Sequence, residues 1–256
     1  MEKKEAVQKA FSQNKDAYIT SSTHSQGTDL LLLKEWIQPN KEMTVLDIAT
    51  GGGHVTKSLS PFVKNIFATD LTRNMLENTS KYLRNYENIE FIVADAENLP
   101  FLNERFDVVT CRIAAHHFPF PQKFIKEVSR VLKEGGKFLF IDNVASEKEE
   151  LDTFINKLEK MRDFSHVRSL KVSEWKHLLN KENLKIIKET RRKKVLPFDE
   201  WSKRTLHTKE EIRKVAQFLL HTSKEIQIYH QMKINDGKIK SFAIDEWMTL
   251  CEKYKI

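Results

Sequence analysis

Cysteine is scarce in this chain. Cys111 and Cys251 are the only two in 256 residues. They make neither a metal-ligand spacing nor the disulfide framework of a small secreted scaffold. Long apolar runs are missing too, so no segment reads as a bilayer span. The amino terminus is charged and lacks an apolar signal region, and a cytoplasmic location is expected from that. There is no internal repeat and no low-complexity tract. What is present is a chain with 40% hydrophobic residues, ample for a core. Its length fits one large α/β domain or a core with an appendage.

The formal net charge is +7, unevenly placed: residues up to Lys148 balance, and the excess follows them. Arg191-Arg192-Lys193-Lys194 is the densest cluster. It reads as a solvated strand end in preference to an anion or nucleic-acid contact, because no aromatic-interleaved RNA-binding pattern accompanies it. Nucleic acid is therefore the less favoured partner. The sequence carries no signal for an oligomeric state.

From residue 44 onward, apolar runs alternate with amphipathic stretches. Strands are expected at Thr44–Ile48, Asn65–Thr69, Ile89–Ala94, Asp107–Arg112 and Lys137–Asp142. Helices are expected at 54–59, 73–86 and 121–132, the last stopped by Gly135-Gly136. This pattern implies a parallel sheet covered on both faces. The tail reads as helices over 149–161, 173–180 and 208–228, a strand over 184–196, and a last strand over 238–246 after a turn at Asn235-Asp236-Gly237. Trp36, Trp175, Trp201 and Trp247 are expected to serve the core or the packing of the tail on it.

The most informative stretch is Thr44 to His54. A buried strand ends in Asp47-Ile48, and Ala49-Thr50 lead into Gly51-Gly52-Gly53. Glycines let backbone N–H groups approach a small charged ligand. Asp70 follows a second strand and Asp95 a third. Carboxylates at the carboxyl ends of successive strands suggest a nucleoside-bearing cofactor across the edge of an open sheet. A dinucleotide dehydrogenase fits less well. The third glycine of G-x-G-x-x-G is absent after Gly51 and Gly53, Asp47 would sit near the phosphates, and Asp95 would have no role. A P-loop is excluded because Gly-Lys-Ser/Thr is absent.

The order and spacing of these elements resemble the class I S-adenosylmethionine (SAM)-dependent methyltransferases, in particular the small-molecule enzymes related to ubiquinone and menaquinone methyltransferases. The resemblance is strongest from Val45 to Asp142. It implies a Rossmann-like sheet of seven mostly parallel strands in the order 3-2-1-4-5-7-6, the last antiparallel, with helices on both faces and a helical lid. It also implies a single domain over 1–256: a helical cap (1–36), a SAM-binding core (37–145), and remaining strands with helical insertions (146–256). Ala49, Gly51 and Gly53 would pass under the methionine end, with Asp47 orienting the loop and meeting the cofactor's ammonium group. Ala49 departs from the glycine usual at the first loop position. Asp70 would bind the ribose hydroxyls, which suits a carboxylate that accepts two hydrogen bonds. Leu71 and Met75 would pack on the adenine, Asp95 and Ala96 would read its edge, and Cys111 and Arg112 would contact the methionine moiety through their backbone. Cys111 also reads as a packed strand residue, without the preceding proline of cytosine C5-methyltransferases, and no Asn-Pro-Pro-Tyr sequence of the amino-methylating enzymes is present.

His116 and His117 follow the fourth strand, where the resembled enzymes face the methyl group. Neutral histidine suits proton removal from a hydroxyl or an acidic carbon near pH 7, so both are catalytic candidates, with capping and packing as the alternative. Tyr18 would cover the cofactor and His24 face the substrate, unless 18–27 is a surface linker. Asp163-Phe164-Ser165-His166-Val167-Arg168 resembles an Asp-Pro-Ser-His-Val-Arg segment of bacterial relatives. His166 and Arg168 could hold an anionic or enolic substrate there, or Arg168 could pair with Asp163. The expected reaction is methyl transfer from SAM to an oxygen or carbon of a small molecule, releasing S-adenosylhomocysteine, with no metal. Methylation of tRNA or protein, and SAM binding without turnover, are the alternatives.

Overall fold

A computed structural model describes residues 4–9 and 28–255. The strands are β1 (Thr44–Ile48), β2 (Asn65–Asp70), β3 (Ile89–Val93), β4 (Phe106–Arg112), β5 (Leu132–Val144), β6 (Leu184–Pro197), β7 (Lys233–Asn235) and β8 (Lys238–Lys253). They form one sheet in the order β3-β2-β1-β4-β5-β8-β6. β1 to β5 pair in parallel, and β8 runs antiparallel between β5 and β6.

This is the expected order 3-2-1-4-5-7-6 with the last strand antiparallel, and among the described residues one further short strand, β7, adds a hairpin to β8. Asp236 and Gly237 both take positive φ, 48° and 68°. That is the backbone of a tight two-residue hairpin, so the turn read in the sequence also creates a strand before it. The last strand continues past the expected residue 246 to Lys253, paired with β5 and β6 on its two sides.

Adjacent residues on each strand point to opposite faces, and each face has its own helices. Leu46, Val109, Phe138 and Phe140 pack with α4 (Pro121–Val131) and α6 (Val172–Lys181) through Phe124, Val128, Trp175 and Leu179. Val45, Val108, Leu139 and Ile141 pack with α1 (Thr28–Ile37) and α2 (His54–Leu59) through Leu33, Ile37, Val55 and Leu59. α3 (Arg73–Tyr82) packs on β2 and β3.

A third apolar cluster lies where β6 and β8 project past the other strands. It joins α5 (Glu149–Arg162), α7 (Phe198–Lys203), α8 (Lys209–Leu220) and α9 (Lys224–Tyr229) around Phe154, Leu158, Trp201, Leu219 and Phe242. The expected helix over 208–228 is two helices, because Ser223 caps a new one. Trp175, Trp201 and Trp247 are fully buried. Among the described residues, no helix is long and apolar enough to cross a membrane.

Candidate active site

The carboxyl ends of β1, β2, β3 and β4 open onto one cavity of about 110 Å³. Parallel strands bring their ends to a common edge, so residues far apart in sequence meet there. Asp47, Ala49, Gly51, Asp70, Leu71, Asp95, Ala96, Arg112 and His117 all line it.

Asp47 is buried under the glycine loop. Its Oδ2 accepts from Thr50 Oγ1 and Thr56 Oγ1, each at 2.7 Å, and Oδ1 accepts from Thr110 Oγ1 at 2.8 Å. Burial pushes its pKa up, against those three bonds. Asp47 thereby ties the loop to α2 and β4. The loop itself turns through left-handed backbone at Ala49, Gly51 and Gly53, with φ of 53°, 52° and 76°. Alanine is thus held where glycine is less strained. Gly53 does not line the cavity; it sits against α3 and the residue after it, where a Cβ would fall 2.6 Å from Thr79 Cγ2 and 2.8 Å from Leu83 Cδ1.

Asp70 closes the other side of the loop. Its Oδ2 accepts from Gly51 N at 3.1 Å and its Oδ1 from Thr72 N at 2.8 Å. Each oxygen retains a further lone pair. Desolvation pushes this carboxyl up to about 6, against the two backbone bonds. Asp95 and Glu97 stand at the far end, where Lys4 Nζ lies 2.5 Å from each. Glu97 and Lys4 were not singled out in the sequence; the acid two residues past Asp95 was the available signal. Leu71, Ala94, Ala96 and Phe118 supply apolar wall between the acids. Met75 and Cys111 are fully buried and do not line the cavity, and burial raises the Cys111 thiol pKa. Tyr18 and His24 lie outside the described residues.

Arg112 joins the cavity to α1. Its Nε donates to Asp29 Oδ2 at 2.5 Å, and Arg192 Nη2 donates to Asp29 Oδ1 at 2.9 Å. Arg192 also pairs with Glu246, which accepts from Lys194 Nζ at 3.0 Å. The reading of the cluster as a solvated strand end holds for the exposed Arg191 and is corrected for Arg192, Lys193 and Lys194. The β6–β8 register sets Arg192 opposite Glu246 and Lys193 opposite Asp245, and Lys193 Nζ lies 2.9 Å from Asp245.

His116 and His117 occupy a 3-10 turn after β4 (Ala115–His117), their ring centroids 4.3 Å apart. His116 Nδ1 lies 2.6 Å from Asp142 Oδ1, and its backbone N donates to Oδ2 at 2.9 Å. Burial works against its charged form, but Asp142 prevails and the His116 pKa is raised. His117 lines the cavity. Burial, and the charge of His116 beside it, lower its pKa to about 3. Asp142 went unnoticed in the sequence, although it stands near the end of the fifth strand as Asp47 does on the first.

The segment after α5 folds back onto this turn: the backbone N of Val167 and of Arg168 each donate to His116 O at 3.0 Å. His166 is buried among its neighbours, with Nε2 3.0 Å from Asn156 Oδ1. Burial, and then His116, lower its pKa to about 3. Arg168 pairs with Asp152 at 2.9 Å and Glu174 at 3.1 Å, not with Asp163. His166 and Arg168 do not line the cavity.

Residues 46–140 match the family model described as a methyltransferase domain. The chain is 35% identical over 237 residues to the uncharacterized methyltransferase YcgJ of Bacillus subtilis, covering 91% of this chain and 94% of that protein. The chain belongs to the SAM-dependent methyltransferases. The BH2331 protein of Bacillus halodurans C-125 has the same fold, with a TM-score of 0.87 at 36% identity over 90% of this chain and 100% of that one. The ubiquinone/menaquinone biosynthesis C-methyltransferase UbiE of Rickettsia typhi is 34% identical over 148 residues, 53% of this chain and 60% of the relative. The chain is thus an enzyme whose cofactor is SAM, on a mostly parallel Rossmann-like sheet.

Proposed function

We propose that this methyltransferase, working as one unit, transfers the methyl group of SAM to an oxygen or carbon nucleophile of a small molecule. SAM supplies an electrophilic methyl on a sulfonium; the protein holds and aligns the reactants. The lining suits that cofactor: Asp70 would accept from the ribose hydroxyls and Asp95 from the adenine amine, the apolar wall would take the ring, and the Asp47-tied loop the methionine end. The observation that carries the acceptor class is the placement of His117. A neutral imidazole on the wall of a cavity, backed by buried polar groups, suits an acceptor that loses a proton. Arg192, Lys193 and Lys194 are engaged in ion pairs, which removes most of the basic cluster from the account of a nucleic-acid substrate. Incubation with SAM and a panel of quinols, phenols, tRNA and protein, followed by mass spectrometry, tests the reading. Methylated quinol or phenol is expected; methylation confined to RNA or protein overturns it.

Asp70→Ala is expected to weaken SAM binding at least tenfold, about 1.4 kcal/mol, measured by calorimetry. Unchanged affinity would refute the ribose assignment.

The same carboxyl gives a pH dependence. Ribose hydroxyls donate to the ionised form, so binding favours loss of the Asp70 proton. Affinity should be flat above about pH 6 and fall toward a tenfold loss per unit below it. Asp70→Asn should abolish that slope. Wild-type affinity that stays level well below pH 6 would contradict the assignment.

A further inference from the structure

Lys4 places a cation of the chain's own in the cofactor cavity. Residues 4–9 are helical, and Lys4, Val7 and Gln8 fall at i, i+3 and i+4, on one face. That face is turned to the site. Lys4 and Val7 line the cavity, and Gln8 Nε2 donates to Leu71 O at 3.0 Å. Glu5 and Lys9 are exposed. A helix this short is marginal by itself in water, so these contacts hold it in place.

The two acids that Lys4 bridges are not equivalent. The Glu97 side chain is 3% exposed, and its Oε1 accepts from Phe120 N at 2.6 Å. Its Oε2 is the oxygen paired with Lys4. The Asp95 side chain is 30% exposed. Its Oδ1 accepts from Glu97 N at 2.9 Å, and its Oδ2 accepts from Lys4 Nζ at 2.5 Å. Burial works against the Lys4 charge, but the bonds to Asp95 and Glu97 prevail and raise its pKa, so it is an ammonium at neutral pH. Asp95 Oδ2 is thus filled by a charged donor, and Oδ1 already serves a backbone N–H.

We propose that Lys4 is an intramolecular competitor of the cofactor: it occupies Asp95 in the free enzyme and leaves that acid, keeping Glu97, when the adenine amine arrives. This rests on the assignment of Asp95 to the adenine amine. The amine is a neutral donor, whereas Lys4 makes a charge-assisted bond. Exchanging one for the other is unfavourable, so Lys4 weakens cofactor binding. Glu97 is the acid that Lys4 keeps, because a buried carboxylate stripped of its cation is costlier than a part-solvated one. The helix over 4–9 then stays tethered to the site while the adenine end fills.

The test is calorimetry with S-adenosylhomocysteine, whose uncharged sulfur removes repulsion between Lys4 and a sulfonium from the comparison. Lys4→Ala should bind it about three- to fivefold more tightly than wild type, the worth of one partly exposed ion pair. Glu97 lacks its cation in both the free and the loaded variant, so that loss cancels. Lys4→Arg, which keeps a cation, should stay near wild type. Asp95→Ala made in the Lys4→Ala protein should weaken binding, and in an Asp95→Ala protein the loss of Lys4 should bring no gain. Affinity in Lys4→Ala equal to or below wild type, with Asp95→Ala still weakening it, overturns the competition alone. No weakening from Asp95→Ala refutes the adenine assignment, and the competition falls with it. If Lys4→Ala fails to fold, a crystal structure of the wild-type complex decides. Lys4 Nζ on Glu97 and off Asp95 supports the exchange; any other placement overturns it.

Discussion

Asp29→Ala is expected to lower the unfolding free energy by about 3–5 kcal/mol, the cost of breaking a buried ion pair by removing one partner. Asp29 is 1% exposed and holds two guanidinium groups, those of Arg112 and Arg192. Without it, a cluster of Arg112, Arg192 and Lys194 would face Glu246 as its remaining acid. Burial acts to raise the Asp29 pKa, but Arg112 and Arg192 outweigh it and hold the carboxyl below the ordinary range. A depressed pKa contributes stability above the unfolded-state value, lost as pH falls through the folded one. The stability difference between wild type and Asp29→Ala should therefore be constant at neutral pH and shrink only in acid below about pH 4. Urea titrations at several pH values measure it. A difference under about 1 kcal/mol at neutral pH, the range of a surface pair, would show that the cluster contributes little.

Gly53→Ala is expected to cost about 2–5 kcal/mol. A left-handed φ in a residue with a Cβ costs about 1–2 kcal/mol, and forced overpacking adds about 1–3 kcal/mol. The strain falls on Thr79 and Leu83. Thr79 Oγ1 also donates to Gly51 O at 2.5 Å, so pushing α3 away disturbs the loop that faces the cavity. SAM affinity should fall together with thermal stability. Gly237→Ala is the control, because that glycine has a similar φ of 68° and nothing within 4 Å of its added Cβ. It should lose only the backbone part. Equal losses in the two variants would mean that contact with α3 is not what requires glycine at position 53.

Much of the sheet was legible because continuous apolar strands and amphipathic helices obey different periods. The spans of β1 to β5 and the acids that follow the first three follow from residues local in sequence, whereas the strand order was implied by the family resemblance. The hairpin strand β7 was hidden: three exposed residues, Lys233 to Asn235, make no apolar run, and only the turn after them carried a signal. The α7 helix escaped because it is six residues long and follows directly from a strand. In the site, Asp47, Asp70 and Asp95 stood out as strand-end acids. Their partners did not, because Thr50, Thr56 and Thr110 become ligands of one carboxylate only when β1, α2 and β4 are assembled. The basic run at 191–194 misled for the same reason. Its neutralising acids, Asp29, Asp245 and Glu246, lie about 50 and 160 residues away, and no local pattern announces a cross-strand register.

The apolar cluster built on the projecting ends of β6 and β8 is separate from the two that sandwich the sheet. Leu, Phe and Trp exchanges around Leu158, Trp201 and Phe242 can reshape the helical canopy without reaching the bed of strands that carries Asp47, Asp70 and Asp95. The strand ends that carry those acids are thereby insulated from sequence change in this distant apolar packing.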